Sequence, residues 1–273
     1  MNFLQGMEYE KAVRNIRSHL SEYITQFKLD SLIIGISGGI DSSLSAALAR
    51  PVCDELSIPL IGRSITIESN TSDEILRSKA VGGEFCTDFA LIDLTMRYNE
   101  MKTILEAEHG PEESEQQAKI RLGNAKARIR MIYLYNLAQR NRGLVLSTDN
   151  YTELLLGFWT LHGDVGDYGM IQNLWKTEVY GMAQYLADGE IKNTSKKAAI
   201  YSCIDATPTD GLGISNSDLD QLGASSYAEV DKILREYLTT GKNTSHPVIQ
   251  RHLGSEFKRN NPVNISRYDI LTN

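Results

Sequence analysis

One stretch restricts this chain more than any other. It is Leu32-Ile33-Ile34-Gly35-Ile36-Ser37-Gly38-Gly39-Ile40-Asp41-Ser42-Ser43, followed by the helix-forming run Leu44 to Arg50. A short apolar, isoleucine-rich run feeds a turn of small residues and a helix begins at once, which specifies a buried parallel strand, a tight loop and a helix N-terminus. Gly38 and Gly39 allow positive φ and close approach of the backbone to a ligand. Their N–H groups, with the unpaired donors of the helix's first turn, make a site for an anion, and Ser37, Ser42 and Ser43 add hydroxyls. Asp41 is the unusual member. A carboxylate inside an anion site repels phosphate unless a cation lies between them, so Asp41 reads as a Mg²⁺ ligand.

The remaining pattern repeats the alternation of strand and helix. Val13, Ile16, Leu20, Ile24 and Phe27 recur every three or four residues within Glu8 to Phe27, an amphipathic helix. Strands are expected at Ser31–Ile36, Pro59–Ile67, Phe89–Leu94 and Gly143–Ser147. Helices are expected from the Asn70-Thr71-Ser72-Asp73 cap to about Ala80, from Arg97 to His109, from Asn124 to Gln139 and from Trp175 to about Leu186. Pro51 is expected to kink or end the helix after the first loop near Arg50. Gly110 to Glu115 reads as a polar break. Such alternation implies an α/β fold, a parallel sheet with helices on both faces. Ligands of these sheets bind at the carboxyl ends of the strands. That is where Ser37–Ser42 falls, and where Thr148 and Glu153 fall after the fourth strand. No repeat or clear linker interrupts the 273 residues, so a single domain spanning 1–273 is expected.

Composition narrows the function classes. The chain is 41% hydrophobic and 23% charged, enough for a sizeable core, and its formal charge of −7 argues against a general nucleic-acid binder. No apolar run approaches the roughly 20 residues that cross a bilayer. The N-terminal residues lack the pattern of a signal peptide, and Cys53, Cys86 and Cys203 lack metal or redox spacing. A cytoplasmic protein without membrane or nucleic-acid partners is expected.

The loop has neither Gly-x-x-x-x-Gly-Lys-Ser/Thr nor Gly-x-Gly-x-x-Gly, which excludes two common phosphate and dinucleotide loops. Ser37-Gly38-Gly39-Ile40-Asp41-Ser42 resembles instead the loop of the ATP pyrophosphatases, enzymes that cleave ATP between the α and β phosphates. Further segments make the resemblance narrower. They are Gly123-Asn124-Ala125-Lys126-Ala127-Arg128-Ile129-Arg130-Met131, Ser147-Thr148-Asp149-Asn150 with Glu153, Gly157-Phe158-Trp159-Thr160 with Gly163-Asp164, and Ser255-Glu256-Phe257-Lys258-Arg259. Their order is similar to that of the ammonia-dependent NAD synthetases, over most of the chain.

That resemblance implies an adenine nucleotide α-hydrolase-like fold and a homodimer that adenylates deamido-NAD and lets ammonia displace AMP. Carried over by position, Gly35, Ile36, Ser37, Gly38, Gly39, Ile40, Asp41 and Ser42 would hold ATP, with Ser37–Ser42 on its phosphates. Thr148 and Thr209 would meet its adenosine part, and Lys176 its phosphates. Asp41 and Glu153 would bind Mg²⁺. Arg128, Asp167 and Lys258 would face deamido-NAD. Asp41, Lys176 and Asp164 form the catalytic set, Asp164 or Asp167 taking a proton from ammonium. Gly157–Asp167 and Asp210–Asp220 are expected lids.

The chain also departs from the family pattern. Leu161 stands where a lysine is usual, Phe257 where a histidine is usual, and Gly163-Asp164-Val165-Gly166 is a residue shorter than the usual segment. About ten extra residues separate Lys176 from Thr209. Two alternatives stay open: a related amide ligase for another carboxylic acid, and a nucleotide-binding regulator without catalysis. Arg128 and Arg130 also fit ordinary solvated helix charges. His162 is a lone loop histidine, and His246 with His252 lacks partners for a zinc site.

Overall fold

The computed structural model describes residues 7–68, 70–108, 110–207, 219 and 222–272. Five strands form one sheet in the order β3-β2-β1-β4-β5, all parallel: β1 Ser31–Gly35, β2 Leu60–Thr66, β3 Asp88–Asp93, β4 Gly143–Ser147 and β5 Tyr168–Gly169. The first four coincide with the expected strands to within one or two residues. β5 is too short to announce itself in sequence. It exists because Tyr168 and Gly169 pair with Leu146 and Ser147.

The strand period of two sorts β1 between two cores. Leu32, Ile34 and Ile36 pack with α1 (Met7–Phe27), α2 (Ile40–Leu56) and α3 (Ser72–Phe85), and with the later helices α7 (Lys176–Tyr185) and α8 (Thr194–Ile204). Ile33 points the other way, onto Ala138 and Leu134 of α5 (Glu115–Arg140), which lies beyond α4 (Thr95–Ala107). Leu32, Ile33 and Ile34 are fully buried, each contributing about 1.5–3 kcal/mol over an exposed position. A third cluster joins α6 (Tyr151–Leu156) to α9 (Tyr227–Thr240) and α10 (Pro247–Gly254) through Leu155, Leu156, Val230, Leu234, Val248 and Ile249. Short helices α11 (Glu256–Arg259) and α12 (Arg267–Leu271) follow. Among the described residues no helix is long and apolar enough to cross a membrane.

Three helices differ from expectation: α3 runs past Ala80 to Phe85, and α2 and α5 differ each for a local reason. α2 does not end near Arg50 but runs through Pro51 to Leu56. Pro51 has no N–H for the Ala47 carbonyl four residues back. Arg17 of α1 fills the gap, donating Nη2 to the Ala47 oxygen at 3.4 Å and Nε to the Leu48 oxygen at 3.3 Å. α5 starts at Glu115, nine residues before the expected start. Ser114 and Gln117 form a reciprocal capping box that nucleates a polar first turn with no apolar period to betray it.

The sheet order reverses direction between β1 and β4, so the connections leaving their carboxyl ends diverge and open a crevice. Ile36 and Ser37 of the loop and Thr148 and Asp149 of the turn after β4 line that crevice.

Candidate active site

The crevice is a cavity of about 370 Å³, within the size range of small-molecule sites. Gly35–Ser37, Asp41 and Ser42 form one wall, with Thr148, Asp149 and Glu153 opposite. These residues make one end of the cavity, and Phe158, Trp159, Asp164, Arg251 and Lys258 line the other; Ser64–Thr66, Arg130 and Met131 complete the lining.

The glycine-rich loop is held open from within and behind. Ser37 Oγ accepts from Gly39 N at 3.2 Å and lies 3.1 Å from Ser42 Oγ, which also donates to the Gly39 carbonyl. Arg77 of α3 donates to the Gly38 carbonyl at 3.0 Å. Gly38 has φ +85°, and a Cβ there would lie 2.4 Å from the Glu74 carbonyl oxygen, so only glycine fits. The first N–H groups of α2 have no capping side chain at Gly39 and are left for an anion.

Opposite this loop, three distant segments converge. Lys176 Nζ sits 2.5 Å from Asp41 Oδ2 and 2.9 Å from Glu153 Oε1. Asn150, fully buried, donates to Asp41 Oδ1 at 2.8 Å and caps α6 by accepting from Glu153 N at 3.0 Å. Tyr227 of α9 places its ring 5.3 Å from the same ammonium. Burial, then the Asp41 charge, pushes Glu153 up to about 7. Burial alone would lower Lys176, but Asp41 and Glu153 outweigh it and hold the ammonium well above its usual range. Asp149, hydrogen-bonded to Ser147 Oγ, is raised by burial and by the charges of Asp164 and Glu153. The site therefore holds more carboxylate than cation.

The other end is built differently. Lys258 Nζ donates to the Gly157 and Trp159 carbonyls at 2.7 and 2.5 Å, Arg251 to the Leu156 carbonyl at 2.9 Å, and Arg259 to the Leu155 carbonyl at 2.7 Å. Gly157 ends α6 with φ +64°, and a Cβ there would meet Ser255 at 2.4 Å. Burial and the neighbouring Arg251 lower Lys258 from the ordinary lysine range. Asp164 accepts from Thr160 N, and burial raises it while Lys258 and Arg130 oppose the rise. Trp159 Nε1 is buried without a hydrogen-bond partner among the described residues.

The residues named from sequence fall into three groups. Lys176 contacts both Asp41 and Glu153 from beneath the lining, and Asp41 and Glu153 line the cavity together with Gly35, Ile36, Ser37, Ser42, Thr148, Asp164 and Lys258. Gly38, Gly39 and Ile40 carry the loop backbone into α2. Arg128 and Asp167 are not among the lining residues. Arg128 is exposed and donates to the Leu161 carbonyl at 3.2 Å, and Asp167 accepts from Tyr135 Oη and from Val145 N. Gly157–Asp167 forms a loop without helix or strand. Thr209 and nearly all of Asp210–Asp220 lie outside the described residues.

Sequence reasoning passed over four contributors. Arg77 lies on an ordinary amphipathic helix. Asn150 shows only its capping signal. Arg251 follows no motif. Arg130 looks like a surface charge, yet it donates to the Ile65 carbonyl at 3.1 Å and to Asn70 Oδ1 at 3.1 Å from inside the cavity. Two residues from Arg128, it faces the opposite side of α5, because that step turns a helix by about 200°.

With this geometry in hand the relatives can be placed. The NAD synthase family model matches residues 12–264. The NH(3)-dependent NAD(+) synthetase of Thermoplasma acidophilum is 33% identical over 241 residues, covering 86% of this chain and 90% of that protein. The enzyme of the same name from Campylobacter jejuni strain 81-176 is 32% identical over 231 residues, covering 84% of each. Among solved structures, the NMN synthetase of Francisella tularensis superimposes with a TM-score of 0.76 at 24% identity, covering 94% of this chain and 98% of that one. The NH3-dependent NAD synthetase of C. jejuni superimposes with a TM-score of 0.70 at 21% identity, covering 95% and 100%. The extent of the family match, not any single loop, settles membership: this chain belongs to the NAD synthase family.

Proposed function

We propose that the protein joins ammonia to the nicotinate carboxylate of deamido-NAD, using ATP and releasing AMP and pyrophosphate. The observation that carries this reading is the meeting of Asp41, Glu153 and Lys176 directly beside the first turn of α2. A carboxylate attacking the α-phosphorus gathers negative charge at one point, and positioned cations lower that barrier. The Lys176 ammonium supplies one. The Gly38–Ser42 backbone donors receive the departing pyrophosphate as the bond to the α-phosphorus breaks. Ammonia then adds to the acyl carbon of the adenylate and AMP leaves. Asp164, open to the cavity, takes the proton that ammonium must lose.

The donor set suits Mg²⁺, whose chemistry here is to neutralise phosphate charge. Asp41 and Glu153 offer hard carboxylate oxygens beside the first turn of α2, and magnesium favours a site shared between one or two carboxylates and phosphate. These two residues would hold it. We propose further that two chains associate, supported by the exposed Met96, Met101 and Ile104 of α4 and Ile132 of α5. A sedimentation mass of one chain would refute that pairing.

A second reading keeps the chemistry and changes the acid. Leu161 and Phe257 stand at departures on the side that would meet the acid, and the Francisella structure of similar fold is named for NMN. The corresponding acid is nicotinate mononucleotide. Incubation with ATP, Mg²⁺ and ammonium, with each acid in turn, separates the two by the amide product and equimolar AMP. ADP as product, or AMP with neither acid, would end both readings, and ATP binding without turnover would point to a regulator.

A further inference from the structure

Asp231 lies on α9, outside the cavity, and no part of its side chain reaches solvent. Its carboxylate takes three hydrogen bonds: from Thr152 Oγ1 on α6, and from Thr177 N at 2.9 Å and Thr177 Oγ1 at 2.7 Å on α7. Thr152 Oγ1 in turn accepts from Lys176 N at 2.9 Å. The residue at the N-cap of α7 is Trp175, whose N–H donates to Glu178 Oε2 at 3.0 Å. Two of the unpaired donors of that first turn, the N–H groups of Lys176 and Thr177, are thus satisfied by Thr152 of α6 and Asp231 of α9. A buried carboxylate is tolerated there because donors surround it and it sits against the positive end of α7.

The two threonines are the immediate chain neighbours of the two site residues. Thr152 precedes Glu153 and Thr177 follows Lys176. We propose that Asp231 is a positioning residue: by tying the first turn of α6 to that of α7 it sets where Lys176 Nζ stands relative to Asp41 and Glu153. α9 delivers both parts of this arrangement, since Tyr227, one turn before Asp231, places its ring over the same ammonium.

The proposal rests on the adenylation reading for its kinetic test but not for its spectroscopic one. Asp231→Asn keeps the shape and removes the all-acceptor carboxylate. In a folded Asp231→Asn enzyme, kcat for AMP formation should fall about 30-fold with the ATP KM within about twofold, since small displacements of reacting groups cost up to about 100-fold. In a Lys176→Met background the same change should cost less than about twofold more, because contacts that act through one residue are not additive. Thr177→Val, which keeps the N–H and loses the hydroxyl, should give a smaller fall and carries the same cycle if the Asn variant does not fold. The Nζ resonance of Lys176, read by NMR with labelled lysine, should move in both variants whether or not the protein turns over.

A folded Asp231→Asn enzyme with full kcat and an unmoved Lys176 signal would overturn the proposal, as would losses that multiply in the double variant. Failure of the unaltered protein to form AMP would instead defeat the adenylation reading, leaving the resonance shift to decide this one.

Discussion

The cavity has two ends made by different means. At the phosphate-loop end, side chains hold side chains: Lys176 to Asp41 and Glu153, Asn150 to Asp41. At the lid end, side chains hold backbone: Lys258, Arg251, Arg259 and Arg128 all donate to carbonyls between Leu155 and Leu161, and His252 joins the Leu155 oxygen. A network of the first kind depends on the identity of every member, because removing one charge leaves another buried without its partner. One of the second kind depends on the path of the chain. Leu161 presents the same carbonyl to Arg128 that any residue there would present. Phe257 is 58% exposed and takes no part in these contacts. The departures at Leu161 and Phe257 thus fall at the end where the contacts are dictated by backbone rather than by side-chain identity.

The sharpest way to break this contrast is Asp41→Asn. It should lower AMP formation by about 100- to 1,000-fold, the usual scale for removing one charged group that acts on the transition state. A loss under tenfold would mean that the phosphate end tolerates change as the lid end does. Next in size is Lys258→Met. The KM for the acid should rise about tenfold, or about 1.4 kcal/mol, while the KM for ATP stays within about twofold. Equal rises in both constants would show that the two ends do not work separately.

The smallest effect concerns stability. Burial lowers the His252 pKa below its usual 6.5 although the ring bonds the Leu155 carbonyl. The folded state thus favours the neutral ring, and the unfolded chain takes up the proton first as pH falls. The stabilisation is complete above pH 6.5 and declines as pH drops from there through the lower folded pKa. His252→Gln should flatten the fall in Tm over that window, and an unchanged slope would show that His252 does not couple the lid end to acid.

Much of this was legible in the sequence because it is local. Four strands and the loop follow from patterns a few residues long. Contact between Lys176 and Asp41 spans 135 positions and could be suggested only by family likeness. Arg130 shows why likeness of residue type misleads: its charge and spacing match a solvated helix face, and only the packing of α5 on β1 and β4 turns it inward. Asp231 is an acid in an amphipathic helix with nothing beside it to suggest three hydrogen bonds from two threonines on two other helices. The continuation of α2 beyond Arg50 was hidden for the same reason, since the remedy for Pro51 lies more than thirty residues upstream.

That remedy does more than rescue a helix. The Ala47 oxygen bared by the proline and its neighbour at Leu48 form a keyhole that the guanidinium of Arg17 enters from α1. The residue that weakens α2 along its length thereby fixes its rotation against α1, and with it the bearing of its opening turn. How squarely Gly39 and Asp41 look into the crevice is set in part by an arginine of the neighbouring helix α1.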